Sequence, residues 1–549
     1  MRIIYLIAGL SFLLFNSCSM IRQSADTIYY NGKIQTVNPS MEVADAMAVK
    51  DGRILMVGDS AEIFKKYNAD SVTDLHGQFV YPGFIDSHCH FYGLALSLQW
   101  VDLRGAASFE EVIARMQAKA EKEPTGWLVG RGWDHNLWPE KKFPDRARLD
   151  ELFPGRPVAL MRIDGHSLLA SQAALDAAGI GPAHRYSAQE VEVKNGRLTG
   201  MLSENAADRV RSVIPAPKGE ELDALFSEAE KICLDQGLTG VTDAGLDKEI
   251  ILLIDSLQKS GRLKIHVSAM LNPNLENYDH FVAKGPFITD RLHVSAVKVY
   301  ADGSLGSRTA LLKQPYADDP TKSGVLVTSF DSIHKVCFLA SMHGYQVATH
   351  CIGDSAVKLV LDIYGSYLKG KNDLRWRIEH AQVVDPADVH LFGEYSVIPA
   401  VQATHATSDM YWAGDRIGPD RLRGAYAYRQ LMEQNGWIPN GTDFPIEQVS
   451  PLLTFYAATA RQDLHGYPEG GFQPENSLTR EEALRSITIW AAKSNFEETL
   501  SGSLEAGKWA NFVLLDKDLL TVPLSEIPAI KVNGTVIHGQ VVNEITPAE

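Results

Sequence analysis

The sequence predicts an α/β chain: a (β/α)8 TIM-like barrel, a small β-sandwich domain built from both termini, and a large insertion after the first barrel strand. Three observations predict it. In the middle of the chain, short apolar runs alternate about eight times with longer helix-like stretches. Hairpin texture appears at both ends and not between them. The stretch from about residue 95 to 230 exceeds any single strand–helix unit. A chain of 549 residues is long enough for one barrel with a satellite.

The N-terminus comes first. "MRIIYLIAGLSFLLFNSCSM" carries Arg2, an apolar run from Ile3 to Phe15, then small and polar residues. The run is short for a bilayer span and fits a secretory signal over residues 1–18. It resembles a bacterial lipoprotein signal, in which Cys18 becomes the lipidated first residue, although Leu is usual where Phe15 stands. That resemblance implies export to the periplasm or an outer-membrane lipid anchor. A signal cleaved elsewhere and an uncleaved anchor are the alternatives.

Residues 26–80 follow. "DTIYYNGKIQTVNP" and "ADAMAVKDGRILMVGDS" read as short strands with turns at Asn31-Gly32 and Asp51-Gly52. "GSLEAGKWANFVLLDKD" and "IKVNGTVIHGQVV" repeat that texture within 499–545, so both ends are assigned to one β-domain. Residues 81–498 remain for the barrel. Its eight runs are "FVYPGFIDSHCH", "GLTGVTDAG", "LKIHVSAML", "LHVSAVKVYADG", "GYQVATHCIGD", "LRWRIEHAQ", "YSVIPAVQATH" and "GWIPNGTDFP".

Composition excludes some functions. A formal charge of −16 and no Lys/Arg cluster argue against nucleic acid and against anionic membranes as partners, a lipid anchor aside. The cysteines other than Cys18 show no CxxC spacing and read as buried small hydrophobes.

Function in a barrel collects at the C-terminal ends of its strands. His88 and His90 end the first run, and Lys298 lies inside the fourth. His350 ends the fifth, His380 the sixth, and Asp443 stands in the eighth. Singly each has a plain explanation. Among 17 histidines, an His-x-His pair arises by accident in roughly half of such chains. His350 and His380 could be core histidines, and Asp443 could cap a turn. Convergence of all six at strand ends is what points to a metal site.

These residues, with "VYPGFIDSHCHF", "KVYADGSLGSRTA", "ATHCIGDSAV", "RIEHAQ" and "NGTDFPIE", resemble the amidohydrolase superfamily, in particular its amidohydrolase-3 branch of YtcJ-like and N-substituted formamide deformylase-like proteins. "GWLVGRGWDHNLWPE" in the insertion also fits. The resemblance implies a hydrolase of non-peptide carbon–nitrogen bonds, acting on small amide or formamide substrates through a metal-activated hydroxide. It implies one or two divalent ions, zinc foremost. His88, His90 and Asp443 would hold one, His350 and His380 a second, and a carbamylated Lys298 would bridge them. Asp443 would be general base and acid. His405, His166 and Glu204 are expected to face substrate. The chain departs from the family at Ala403 and at Ser171-Gln172, on the expected pocket wall. The resemblance leaves room for a homodimer. The alternatives are a deaminase or cyclic amidase of the same superfamily, a one-metal enzyme with unmodified Lys298, and an inactive ligand-binding lipoprotein.

Overall fold

The computed structural model describes residues 22–545. The signal stretch and Cys18 lie outside these residues. Among the described residues no helix is long and apolar enough to cross a membrane.

Strands from the two ends of the chain pair in one eight-stranded sheet. Gln23–Gln35 runs antiparallel to Val43–Lys50 and parallel to Tyr67–Asp74 and Phe79–Pro82. Phe79–Pro82 then pairs with Phe512–Leu515, which leads to Val532–Ile537 and Gln540–Asn543. The pairing buries Tyr29, Met47 and Val80 against Leu504, Phe512 and Val536 in one apolar cluster. Asp51-Gly52 does turn a hairpin, with φ of 50° and 74° at the two turn residues. Asn31-Gly32 does not. It lies inside the single strand Gln23–Gln35, where the register shifts between Tyr30 and Ile34. The cause is local. Asn31 takes φ 56°, its side-chain amide donates to Asp74 at 2.7 Å, and its carbonyl accepts from Gly77. These bonds hold a bulge where a turn was expected.

The barrel sheet is parallel and nearly closed. Its order follows the chain: Phe84–Cys89, Leu238–Leu246, His266–Leu271, Leu292–Tyr300, Gln346–Cys351, Arg377–His380 and Ile398–Ala400. These are the first seven predicted runs. The eighth is irregular, with one isolated parallel bridge between Val401 and Asn440. It still joins the edges. Gly441 donates to Val401 at 2.9 Å, Asp443 to the carbonyl of His88 at 2.8 Å, and His90 to Phe444 at 2.8 Å. Gly441 is required there, because a Cβ would come within 2.6 Å of the His88 nitrogen and 2.7 Å of Asp86 Oδ1. The eighth run therefore approaches the first closely enough to set Asp443 against both His88 and His90.

Between the first two barrel strands, residues 101–203 contain a separate six-stranded sheet, from Val191–Lys194 at one edge to Val101–Asp102 at the other. It has its own apolar clusters, one around Leu168, Leu175 and Val210 and one around Trp133, Trp138 and Leu160. This segment and the helix Glu204–Arg211 that follows it carry Arg131, Asp164, His166 and Glu204 to the mouth of the barrel.

Candidate active site and metal centre

His88 and His90 reach one carboxylate. His88 lies on the first barrel strand, and His90 caps the helix Phe91–Ser97 that follows it. Asp443 Oδ1 is 3.6 Å from His88 Nε2 and 3.2 Å from His90 Nε2. Lys298 Nζ lies 3.2 Å from His88 Nε2. The His380 ring sits 4.9 Å from His88 and 4.6 Å from His350. The His88–His90–Asp443 set forms a compact donor group, and so does His380–His405–Asp443.

The hydrogen bonds fix how each imidazole is presented. His88 Nδ1 faces a Glu379 carboxylate oxygen, and His90 Nδ1 donates to the Ala244 carbonyl at 3.1 Å. His380 Nδ1 meets Gln402 Oε1 at 2.6 Å, and His350 Nε2 donates to the Gly303 carbonyl at 3.2 Å. Carbonyl and carboxylate oxygens only accept, so the ring nitrogen that meets each of them carries the proton. The other nitrogen of each histidine is left with a lone pair, the form a metal ligand needs.

Burial works in the same direction. It pushes the His88 pKa down to about 4, with Lys298 adding to the effect, and holds His350 and His380 well below their ordinary range. These rings are neutral at physiological pH. Lys298 is fully buried, and burial lowers its pKa to about 8 even though Glu379 and Asp443 oppose the shift. An appreciable fraction is therefore free amine, able to react with CO2. Burial would raise the Asp443 carboxyl, but the imidazoles set against it, His90 at 3.2 Å first and then His88 and His380, hold it well below the usual range. Oδ1 of Asp443 and Nε2 of His405 are buried with no hydrogen-bond partner among the described residues. Such orphaned atoms in a ring of donors fit a cation.

Three residues at this mouth adopt left-handed backbone: His380 at φ 72°, Asp443 at 61° and Glu204 at 49°. Each costs on the order of 1–3 kcal/mol, a cost tolerated where geometry serves function.

The predicted substrate-facing residues are all close. His166 Nδ1 is 2.9 Å from Glu204 Oε2, and its ring is 4.9 Å from His350. Burial opposes charge on His166, but the Glu204 carboxylate wins and pushes its pKa up to about 9. His405 stands nearer the donors than a pocket-wall residue would, with Nε2 3.7 Å from Asp443 Oδ2. His350 is in ring contact with His380, yet neither compact donor group includes it. A third set, His266, His293 and Glu497, lies toward the start of the third and fourth barrel strands, away from this mouth, where Glu497 accepts from Ser268 at 2.5 Å and pairs with His293 at 2.8 Å.

Glu379 and Gln402 escaped the sequence reading. Glu379 sits beside His380 in "RIEHAQ" and is fully buried between His88 and Arg377. Arg377 holds it at 2.7 and 3.0 Å and also donates to the Ser87 carbonyl. Burial would raise the Glu379 carboxyl, but Arg377 and His88 bring it down to about 2. Glu379→Gln is expected to cost about 3 kcal/mol or more, because it leaves the Arg377 charge buried without its partner. The depressed folded pKa means the pairing stabilises the fold above about pH 4.3, and the contribution fades as pH falls toward 2. Denaturant unfolding of wild type and variant at pH 7 and pH 3 should show a gap that narrows in acid. A gap independent of pH would contradict this account.

Two cavities open over the cluster. One of about 420 Å³ is lined by His350, His380, His405 and Asp443. The other, of about 560 Å³, lies over His90, Asp243 and Tyr300.

The model of the amidohydrolase family Amidohydro_3 matches residues 71–543. YtcJ of Bacillus subtilis (strain 168) is 30% identical over 529 residues, covering 94% of this chain and 99% of that protein. The N-substituted formamide deformylase of Arthrobacter pascens is 27% identical, covering 94% of this chain and 98% of its own length. Among solved structures, an uncharacterized metal-dependent hydrolase from Pyrococcus horikoshii OT3 superimposes with a TM-score of 0.75 at 30% identity, covering 91% of this chain and 99% of its own.

Proposed function

Because this chain belongs to the amidohydrolase family, whose members are metal-dependent hydrolases of carbon–nitrogen bonds, we propose that it cleaves non-peptide amides and formamides. One observation carries the reading. Each of His88, His90, His350 and His380 spends one ring nitrogen on a protein oxygen and is left a lone pair on the other, as a metal ligand needs.

His88, His90 and Asp443 would hold one ion, and His380 with His350 or His405 a second. Zinc suits this set of imidazoles and carboxylate. Carbamylated Lys298 would supply an anionic oxygen to each side. When bound, the metal polarises the substrate carbonyl and acidifies the attacking water. Asp443, a carboxylate at working pH, accepts the proton of that water and returns it to the departing nitrogen. His166, held protonated by Glu204, donates toward the substrate from the insertion side.

The test is a screen of N-formyl, N-acyl and cyclic amides against zinc-loaded and chelator-treated protein. Metal-dependent release of an acid and an amine is the expected result. Release of ammonia from an aminated ring would move the protein to the deaminases, and no turnover with any class would overturn the reading. Export with lipid at Cys18 also stays a proposal, motivated by the apolar run before it. Labelled palmitate entering wild type and not Cys18→Ser is the supporting result; palmitate absent from both would reject it.

A further inference from the structure

The 560 Å³ cavity is bounded by charged side chains from the insertion. Nearly all are committed. Asp164 pairs with Arg162 at 2.7 Å, Glu204 with His166 at 2.9 Å, and Asp208 with Arg211. Asp243 accepts the backbone N–H groups of Phe91 and Tyr92 at 3.0 and 2.9 Å.

Arg131 is the exception. Among the described residues its one hydrogen bond is a long contact of 3.5 Å to the Ile163 carbonyl, its Nε is buried without a partner, and no carboxylate pairs with it. Arg211 stands nearby and turns its guanidinium to the Gly165 carbonyl. A Cβ on Gly165 would lie 3.7 Å from Arg131 Nη1, so the two guanidiniums flank this glycine. Burial and the like charge of Arg211 press the Arg131 pKa down to about 10 against the opposing charges of Asp443 and Asp164, and it remains a cation at neutral pH. The side chain is half-buried with only its Nε enclosed, so the rest of the guanidinium faces the cavity and offers its charge and its N–H groups to an anion there.

The other cavity holds its arginines in ion pairs, Arg162 with Asp134 and Asp164 and Arg104 with Asp102. Asp409 accepts from Tyr426 at 2.8 Å and Glu447 from Ser408 at 2.7 Å, and neither pairs with an Arg or Lys among the described residues.

We propose that Arg131 binds a carboxylate of the substrate, which makes N-formyl and N-acyl amino acids the preferred class. The inference rests on the hydrolase reading above. A planar guanidinium takes a carboxylate through two parallel N–H donors, and the hydrogen-bond capacity of Arg131 is free for that. The peptide-like carbonyl then lies toward the histidine cluster, since His90 and Tyr300 line the same cavity.

The experiment uses the full zinc-loaded chain and a panel of N-acetyl and N-formyl amino acids, each beside its carboxamide, which differs only in lacking the charge. Wild type should favour the acids by on the order of 10–100-fold in kcat/KM, chiefly through KM. In Arg131→Met the acid-to-carboxamide ratio should collapse toward one, and Arg131→Lys should restore part of it. A wild type without the preference, or variants that keep it, overturns the proposal. Calorimetric binding of N-acetyl-leucine and its carboxamide separates the two readings. Acid-selective binding lost in Arg131→Met, without turnover, keeps Arg131 and rejects the hydrolase; turnover of amides with no charge preference does the reverse. An absence of both selective binding and turnover rejects the proposal.

Discussion

Lys298→Ala is expected to lose metal and turnover together. Lys298 is fully buried, its Nζ is 3.2 Å from His88 Nε2, and its charge is felt at His350 and His380 as well as at His88. An ammonium at that point repels any cation the three imidazoles could take up. Conversion to a carbamate, as proposed, would reverse the sign and offer two oxygens. Without it, two cations would sit close together with no anion between them; each pair of unit charges at 4 Å repels by about 4 kcal/mol even at an effective dielectric of 20. The alanine variant should bind less than about a tenth of the wild-type metal per folded molecule, and its activity should fall by on the order of 1000-fold. Small carboxylic acids fit the space the side chain leaves and should restore part of both. If Lys298 only packs, the variant is destabilised but keeps its metal. Metal analysis on folded protein decides, and a variant with full metal and full turnover ends the carbamate model.

What the sequence made legible follows from chemistry that is local along the chain. A buried parallel strand is apolar through its length and turns polar where it meets the cavity. That is why "QVATHC" and "LHVSAVKVY" could be placed as strands with their functional residues in or beside them. Closure of the barrel was less legible. "GWIPNGTDFP" shows where Asp443 stands, but only the spatial fit of Gly441 against His88 explains why that run is pinned without becoming a regular strand. Asn31-Gly32 was misjudged because a turn dipeptide and a bulge share the same positive φ, and bonds to Asp74 and Gly77 select between them.

The orienting partners were invisible for a different reason. Glu379 acts on His88 from 291 positions away, and Gln402 acts on His380 from 22. No spacing rule reaches across a barrel. Arg131 stands in the motif "GWLVGRGWDHNLWPE", yet only the arrangement in space shows that it faces a cavity without an ion-pair partner while the acids from its own segment pair with other residues. His405 illustrates a partial reading. The sequence has it facing substrate, and the structure sets its unpartnered Nε2 near Asp443, among the donors themselves.

Asp443→Asn should separate chemistry from assembly. The exchange is quiet structurally. Asparagine tolerates the left-handed backbone that Asp443 adopts at φ 61°, and the hydrogen bond from the residue 443 nitrogen to the His88 carbonyl, which helps close the barrel, is a main-chain bond. His88 and His90 keep their partners Glu379 and Ala244, so their lone pairs still converge. What disappears is the anion. A neutral carboxamide cannot accept the proton of the attacking water or hand it to the leaving nitrogen, so kcat is expected to fall by on the order of 100–10,000-fold. Most of the metal should remain, because imidazoles supply the larger share of the donors. KM for a good substrate should change little, since the lost interaction acts on proton transfer and not on binding. The pairing with Lys298→Ala is what makes the result informative: one variant should lose metal and turnover together, the other turnover alone. If Asp443→Asn instead empties the site, Asp443 is chiefly a ligand and the proton acceptor lies elsewhere, with His405, 3.7 Å away, the nearest candidate on the same cavity wall.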